Sequence, residues 1–71
     1  MFKPIKSSHL QEADYIDGKV QVRFQGNPAV YEYDGLSAEK YAEWEKDFQS
    51  DVSSGKFFAQ HIKPLPYKKI K

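Results

Sequence analysis

The fold of this 71-residue chain is decided by residues 13–24, which read ADYIDGKVQVRF. Asp17 and Gly18 predict a type I′ turn, because both central residues of that turn need positive φ angles. Two antiparallel strands should flank the turn, with side chains alternating between two faces. One face collects Ala13, Tyr15, Val20, Val22 and Phe24, and the other collects Glu12, Asp14, Lys19, Gln21 and Arg23. This pattern predicts a sheet with one buried and one wet face, with Glu12 opposite Arg23.

A third strand is predicted after this hairpin. Residues 25–28, Gln-Gly-Asn-Pro, are typical of a turn, and residues 29–33, Ala-Val-Tyr-Glu-Tyr, are short, alternating and rich in β-forming side chains. Asp34 and Gly35 end that segment. The first half of the chain is therefore predicted to form a three-stranded antiparallel β-meander.

The following segment has the period of an amphipathic helix. Tyr41, Trp44, Phe48 and Val52 recur at three- and four-residue spacing, which gives one apolar stripe. Ser37 stands where an N-cap belongs, since its hydroxyl can accept from a free amide of the first turn. We expect one long helix that lies on the apolar face of the sheet.

A second, shorter helix is predicted to begin with Ser53 as its N-cap and to end before Pro64. It would carry Phe58 and Ile62 into the core, and Tyr67–Ile70 suit a final edge strand. The predicted fold is α+β: a three-stranded meander, one long and one short helix, and a C-terminal edge strand, with the helices on one face of the sheet.

Composition places this fold in a single domain that spans residues 1–71. The chain has no cysteine, which excludes disulfides and thiolate metal sites. No apolar run is long enough for a secretory signal or a membrane span, so we expect a cytoplasmic protein. The net charge is only +1, yet residues 55–71 hold lysines and no acid, whereas residues 37–51 are rich in acids.

Catalysis is not expected from these residues. The chain has two histidines and no nucleophile in a recognisable elbow or triad, and its four glycines are isolated rather than grouped in a phosphate-binding loop. We therefore predict a protein that is not an enzyme and that has neither a metal nor a cofactor.

A set of residues spread over most of the chain carries a family resemblance. The residues are Ser7-Ser8, Tyr15, Val20-x-Val22-x-Phe24, Tyr31-Glu32-Tyr33, Tyr41, Ser53-x-Gly55, Phe57-Phe58, Ile62 and Tyr67. In this pattern the chain resembles the KTSC family, small domains named after the C-terminal segment of certain lysyl-tRNA synthetases and also found alone in bacterial and phage proteins. The resemblance covers residues 7–70, with 1–6 and 71 as terminal extensions.

The resemblance implies the α+β fold, no assigned catalytic residue, and a role in RNA binding that is suggested by the synthetase context. Two positions depart from the family pattern. Family members commonly have a small apolar residue where Asp51 stands and an Asn where Ala59 stands. A polar site built on that Asn would therefore be altered in this chain.

Tyr31 and Tyr33 have two interpretations. They can form an exposed platform on which bases stack, with Arg23 and lysines near the phosphates. Alternatively they point into the core, which is favoured because so small a domain has few other large apolar groups to bury. Alternation places both on the same face, so we expect both side chains to be exposed or both to be buried.

The segment Ser53, Ser54 and Gly55 is also open to two interpretations. As a helix start next to Lys56, it can bind an anion through free amides. As a structural element, it is a capping serine followed by a glycine that lets the helix pack closely against the sheet. These two interpretations are compatible.

The remaining candidates are His61 and the lysines at 63, 68 and 69. A lone histidine beside aromatic residues is more often packed than a ligand, and short lysine runs are more often solvated arms. The same lysines can neutralise phosphates, which would make binding depend steeply on salt.

These observations favour a small non-catalytic module that binds nucleic acid, RNA in preference to DNA. The predicted binding residues are Lys56, His61, Lys63, Lys68, Lys69, Tyr31, Tyr33 and Arg23, with Ser53, Ser54 and Gly55 as an anion-binding helix start. The alternative is a protein-interaction module, such as a phage-type effector that docks on a host protein, which the near-neutral net charge supports. A third alternative is capture of a small anion at the Ser53 helix start. We expect a monomer or a weak dimer.

Overall fold

A computed structural model describes residues 2–71 and shows an α+β domain built on one antiparallel sheet. The described part of the sheet has five strands in sequence order: β1 (Lys3–Pro4), β2 (Leu10–Ile16), β3 (Lys19–Phe24), β4 (Val30–Asp34) and β5 (Tyr67–Lys69). The helices are α1 (Ala38–Glu45) and α2 (Asp51–Phe57), and α2 continues as a π-helical turn, Phe58–Ile62. The predicted fold class is confirmed, and the sheet has more strands than the three of the predicted meander.

The hairpin that joins β2 and β3 has the predicted register. Asp17 and Gly18 have φ angles of 51° and 79°, as a type I′ turn requires. Glu12 lies opposite Arg23, and the Arg23 Nε to Glu12 Oε2 distance is 3.5 Å. The register shifts between Leu10 and Glu12, a β-bulge that bends the start of β2.

The two edge strands extend the predicted meander on both sides. β5 pairs with β4, with Tyr67 opposite Tyr33, which confirms the C-terminal edge strand. β1 pairs with β2 through Lys3 and Pro4 and was not predicted. Two residues are too few to show an alternating pattern, so the sequence holds no local signal for β1.

The first helix is shorter than predicted. Ser37 is its N-cap, and its hydroxyl oxygen accepts from the Lys40 amide at 3.1 Å, as expected. The helix ends at Glu45, however, and residues 46–49 form a turn. Phe48 still reaches the core from this turn, whereas the side chain of Val52 is 80 % exposed. The prediction that Val52 continues the apolar stripe is therefore wrong, because the stripe is broken before it reaches that position.

The second helix begins earlier than predicted. Its N-cap is Ser50, whose hydroxyl accepts from the Ser53 amide at 3.3 Å, so the assignment of Ser53 as the cap is wrong. The Lys63 amide donates to the Phe58 carbonyl at 2.9 Å, the five-residue spacing of a π-helix, and Pro64 follows. With seven α-helical and five π-helical residues, this second segment exceeds the eight residues of α1, which reverses the predicted lengths.

The core lies between the sheet and the helices, and Trp44 is at its centre with no exposed surface. A buried serine ties three segments together there. The Ser54 hydroxyl donates to the Lys6 carbonyl at 3.2 Å, and the Ser54 carbonyl accepts from the Trp44 indole at 3.1 Å. This contact fixes the chain before β2 against α2, which determines the shape of the site described next.

Candidate functional site

A groove of about 610 Å³ lies between residues 7–10 and α2. It is lined by Ser7, Ser8, His9, Leu10, Phe24, Tyr33, Asp51, Val52, Gly55, Lys56, Phe58, Ala59 and Lys63. Val52, Ala59 and the half-buried Phe24 supply accessible apolar surface, and Phe24 meets the buried Phe58 edge to face with ring centroids 5.6 Å apart. Its volume and mixed lining are those of a site for a small ligand or for one unit of a polymer.

The wall opposite α2 is held by hydrogen bonds of the backbone. The Ser7 hydroxyl oxygen accepts from the amides of His9 and Leu10, both at 3.1 Å. The Ser8 amide donates to Asp51 Oδ1 at 3.0 Å, which connects this wall directly to the first turn of α2. Residues 7–10 are therefore a fixed side of the groove.

A serine and a histidine meet on this wall. The Ser8 Oγ and the His9 Nδ1 are 3.1 Å apart, and which of the two donates depends on the tautomer of the ring. The Asp51 carboxylate bonds the Ser8 backbone amide rather than the imidazole. The three side chains therefore do not form a relay in which a carboxylate orients the histidine.

Two lysines of the second helical segment provide the positive charge of the groove. Lys56 and Lys63 both line it and are exposed to solvent. Among residues 2–71, neither forms an ion pair, in contrast to Lys40 and Lys68, which lie beside Glu43 and Glu32. The groove thus combines an apolar interior with two lysines and one carboxylate, that of Asp51, which leaves a net positive charge.

Gly55 lies on the groove side of α2, at a position that does not require glycine for the fold. Its φ angle is not in the left-handed region, and a Cβ built on it meets no atom within 4 Å. The interpretation that this glycine lets the helix pack closely against the sheet is therefore wrong. What the missing side chain does is leave the helix surface open towards the groove.

The predicted anion-binding helix start at Ser53, Ser54 and Gly55 is not a helix start. The Ser53 amide is bonded to the Ser50 hydroxyl, and the Ser54 amide to the Ser50 carbonyl at 2.9 Å. Ser54 is also fully buried. The helix begins at Asp51, whose carboxylate opposes a second anion at that end.

Tyr31 and Tyr33 lie on the helix side of the sheet, yet they differ in exposure. Tyr33 is only 6 % exposed, stacks on Tyr67 at 5.4 Å, and meets Phe58 edge to face at 5.5 Å. Burial raises the pKa of Tyr33 above its usual value. Tyr31 is half-buried and touches Phe24 at 5.6 Å. The core interpretation holds for Tyr33, whereas part of Tyr31 remains accessible, so the two do not share one fate.

The other predicted cations lie apart from the groove. Lys69 is opposite Tyr31, on the helix side of the sheet edge. Lys68 is on the other face, 3.9 Å from Glu32. Arg23 is on that same outer face, beside Glu12 and over the Phe2 ring at 5.6 Å. The basic residues of the C-terminal third are thus split between two faces of the sheet.

His61 is exposed and lies with its ring 4.6 Å from the ring of Phe57. It does not line the groove. Of the predicted site residues, the groove brings together Gly55, Lys56, Lys63 and Tyr33.

Three residues that line the groove, Ser8, His9 and Val52, are not among the predicted site residues. Ser8 belongs to the family pattern, but its meeting with Asp51 joins positions 43 residues apart, a distance that no local pattern reveals. The apolar spacing predicts that Val52 faces the core, and its exposure becomes visible only in the folded chain. Within residues 2–71, no cluster of His, Asp and Glu side chains has the geometry of a metal site, and no helix is long and apolar enough to cross a membrane.

Comparisons with known proteins identify the family. The crystal structure of a KTSC domain protein from Yersinia pestis is similar to this chain, with a TM-score of 0.73 and 27 % sequence identity. That match covers 100 % of this chain and 97 % of the Yersinia chain. A search of curated proteins gave no match. The model of the KTSC domain matches residues 6–67, so this chain belongs to the KTSC domain family.

Proposed function

We propose that this KTSC domain is a non-catalytic module that binds single-stranded RNA in the groove between residues 7–10 and α2. The observation that carries the proposal is the placement of Lys56 and Lys63, two cations without an acidic partner among residues 2–71, beside an apolar groove. Proteins that bind single strands combine positively charged side chains with aromatic surface.

RNA fits this groove better than a smaller anion does. A phosphate or a carboxylate alone would use the lysines and leave the apolar surface of Phe24, Val52 and Ala59 unused. An unpaired nucleotide has both an apolar ring and a negative charge, because its base can enter an apolar cleft while its phosphates stay near the solvent. The volume of about 610 Å³ accommodates one such unit.

The surface next to the groove offers a continuation for the strand. Tyr31 touches Phe24 on one side and Tyr67 on the other, with centroid distances of 5.6 and 6.2 Å. Tyr67 is 63 % exposed, and Lys69 lies opposite Tyr31 on the same side of the sheet. This row of rings, which we call the tyrosine path, supports the stacking of a further base beyond the groove.

We expect no catalysis by Ser8 and His9 because of how their side chains are arranged. A nucleophilic serine needs a base that is itself oriented by a third group. The carboxylate in the groove, Asp51, is used to hold the Ser8 amide. We therefore assign these side chains to binding.

The test is a titration of the protein into a short fluorescent single-stranded RNA of mixed sequence, followed by anisotropy at several salt concentrations. If two lysines each neutralise one phosphate, the logarithm of the association constant should fall with the logarithm of the salt concentration with a slope of about −1.4. The double substitution Lys56→Ala/Lys63→Ala should abolish most of this slope and weaken binding at low salt.

The matched control is Lys40→Ala/Lys68→Ala, which removes the same total charge from lysines outside the groove. This control should retain the affinity within about twofold, since both lysines are exposed and already paired with acids. Equal losses in the two double variants would show that net charge rather than the groove determines binding. No binding at tens of micromolar protein, or binding that is indifferent to salt, would refute the proposal.

A protein partner is the competing outcome. Affinity purification from a bacterial lysate with and without nuclease separates the two functions. A stoichiometric protein that remains after nuclease treatment and is lost in Lys56→Ala/Lys63→Ala would replace RNA as the ligand of the groove.

A further inference from the structure

We infer that Gly55 is the centre of a base-binding subsite, in which one unpaired nucleobase lies flat against α2 within the groove. This inference rests on the proposed function and goes further, because it says which part of the nucleotide is recognised and by which surface. Lys56 and Lys63 contact the phosphates, and the helix face at Gly55 contacts the base.

Gly55 makes the fold less stable than an alanine at the same position would. Gly55 is inside a continuous helical segment, where glycine is less favourable than alanine by roughly 1 kcal/mol. Its conformation is open to any residue, and a Cβ would have free space. A glycine that neither the backbone nor the packing requires is explained by an external group that must approach the helix backbone closely.

The second observation concerns the neighbours of Gly55 on the same helix face. Val52 and Ala59 are three residues before and four residues after it, which places all three side by side on one surface. All three line the groove, Ala59 is exposed, and Val52 is 80 % exposed. They form a flat, apolar strip without a long side chain, which suits the face of a planar ring.

The third observation is the chemistry of the opposite wall. His9 lines the groove, with its Nδ1 bound at 3.1 Å to the Ser8 hydroxyl, which orients the ring. An imidazole and a hydroxyl can each donate or accept, so this pair suits the polar edge of a base. Phe24, also in the lining, supplies an aromatic ring for stacking. The two walls therefore offer a flat apolar surface, an aromatic ring and polar edge groups, the elements by which proteins hold splayed bases.

The test compares the intact short RNA with a matched oligomer that has the same backbone and no bases, at one low salt concentration. Wild-type protein should bind the intact RNA at least about tenfold more tightly, because stacking and edge contacts of one base are worth a factor of this order. Gly55→Ala should weaken binding of the intact RNA several-fold and leave binding of the abasic oligomer unchanged. Ala59→Leu fills the same strip from the next turn and should have the same selective effect.

Ser53→Ala is the matched control, since it adds helix propensity in the same helix at a residue that does not line the groove. It should leave both affinities unchanged. Thermal unfolding checks that each variant is folded. Gly55→Ala should melt at a temperature several degrees higher than the wild type, because about 1 kcal/mol corresponds to a shift of about 4–8 °C in a domain of this size.

The outcomes distinguish the subsite from the function on which it rests. Salt-dependent binding of intact and abasic oligomers with equal affinity would overturn the base subsite and leave RNA binding in place. Equal affinities of wild type, Gly55→Ala and Ala59→Leu for the intact RNA would likewise overturn it. No binding of either oligomer by the wild type would refute both proposals.

Discussion

The indole Nε1 of Trp44 donates a hydrogen bond to the carbonyl oxygen of Ser54, 3.1 Å away, and both residues are completely buried. The Ser54 hydroxyl in turn donates to the carbonyl of Lys6. One helix, the next helix and the chain before β2 thus meet at a single polar contact inside an apolar core. The groove lies next to this contact, so its shape depends on it.

Removal of this contact should destabilise the domain. Ser54→Ala should lower the free energy of unfolding by about 1–2 kcal/mol, since it leaves the Lys6 carbonyl without its hydroxyl partner. Trp44→Phe should lower it by about 2–4 kcal/mol, because it removes the indole donor and leaves a cavity. Urea unfolding measures both. Ser53→Ala is the control and should change stability by no more than about 0.5 kcal/mol. If Ser54→Ala matched Ser53→Ala, the buried contact would have no structural importance.

Two glycines should respond to alanine in opposite directions. Gly18 has a φ angle of 79° in the hairpin turn, where a Cβ is strained, so Gly18→Ala should destabilise the domain by about 1–2 kcal/mol. Gly55 is helical with free space for a Cβ, so Gly55→Ala should stabilise it by about 0.5–1 kcal/mol. Thermal or urea unfolding of the two variants gives the signs directly. A destabilised Gly55→Ala would mean that the fold itself requires this glycine.

Stability should fall at alkaline pH because of Tyr41. Burial, with smaller contributions from the carboxylates of Glu45 and Asp14, raises the pKa of Tyr41 to about 12 from the ordinary value of 10.0. Between these values the unfolded chain has lost a proton that the folded chain keeps, so the free energy of unfolding falls as the pH rises.

The measurement is urea unfolding at a series of pH values between about 9 and 12, for wild type and for Tyr41→Phe. The variant cannot ionise at this position, so its stability should fall less steeply over that range. The difference between the two curves isolates Tyr41, because every other titratable group is the same in both proteins. Parallel curves would contradict the raised pKa.

Asp51 should oppose RNA binding in this chain. Its carboxylate is at the groove, and it holds the Ser8 amide through Oδ1, a bond that an amide oxygen can also accept. Asp51→Asn should therefore keep the wall in place and remove a negative charge. In water, a charge at about 8 Å is worth roughly 0.5 kcal/mol, so affinity for RNA at low salt should rise about twofold. Glu39→Gln, an exposed change on α1, should leave the affinity unchanged. Weaker binding by Asp51→Asn would mean that the carboxylate contacts the ligand.

The sequence predicted those parts of the fold whose cause is local. The Asp17-Gly18 turn and the alternation around it determine the β2–β3 register, and Ser37 caps α1 as its side chain predicts. The second helix start was misplaced by three residues, because Ser50 and Ser53 are chemically equivalent caps and the apolar stripe appeared to continue past Ser50. The side chains alone do not show which serine caps α2. The turn that brings Phe48 into the core selects Ser50.

The site was predictable only in part for the same reason. Lys56 and Lys63 were identified from their charge, and the groove contains both. The wall formed by Ser8 and His9 depends on contact with a helix far along the chain. The free space around Gly55, which makes it a candidate site residue, is visible only in the folded chain. Charge alone could not show that Lys68 lies on the opposite face, because that depends on its pairing with β4.

The most direct test of RNA binding in the groove is a map of the RNA-binding surface by amide chemical shifts, with labelled protein titrated with the short single-stranded RNA at low salt. We predict that the shifts concentrate at the groove, in Ser8, His9, Gly55, Lys56, Ala59 and Lys63. The outer face of the sheet, with Gln21, Glu32 and Lys68, should remain unchanged and serves as the internal control. Shifts confined to that outer face, or no shifts at saturating RNA, would contradict the claim that this groove is the binding site.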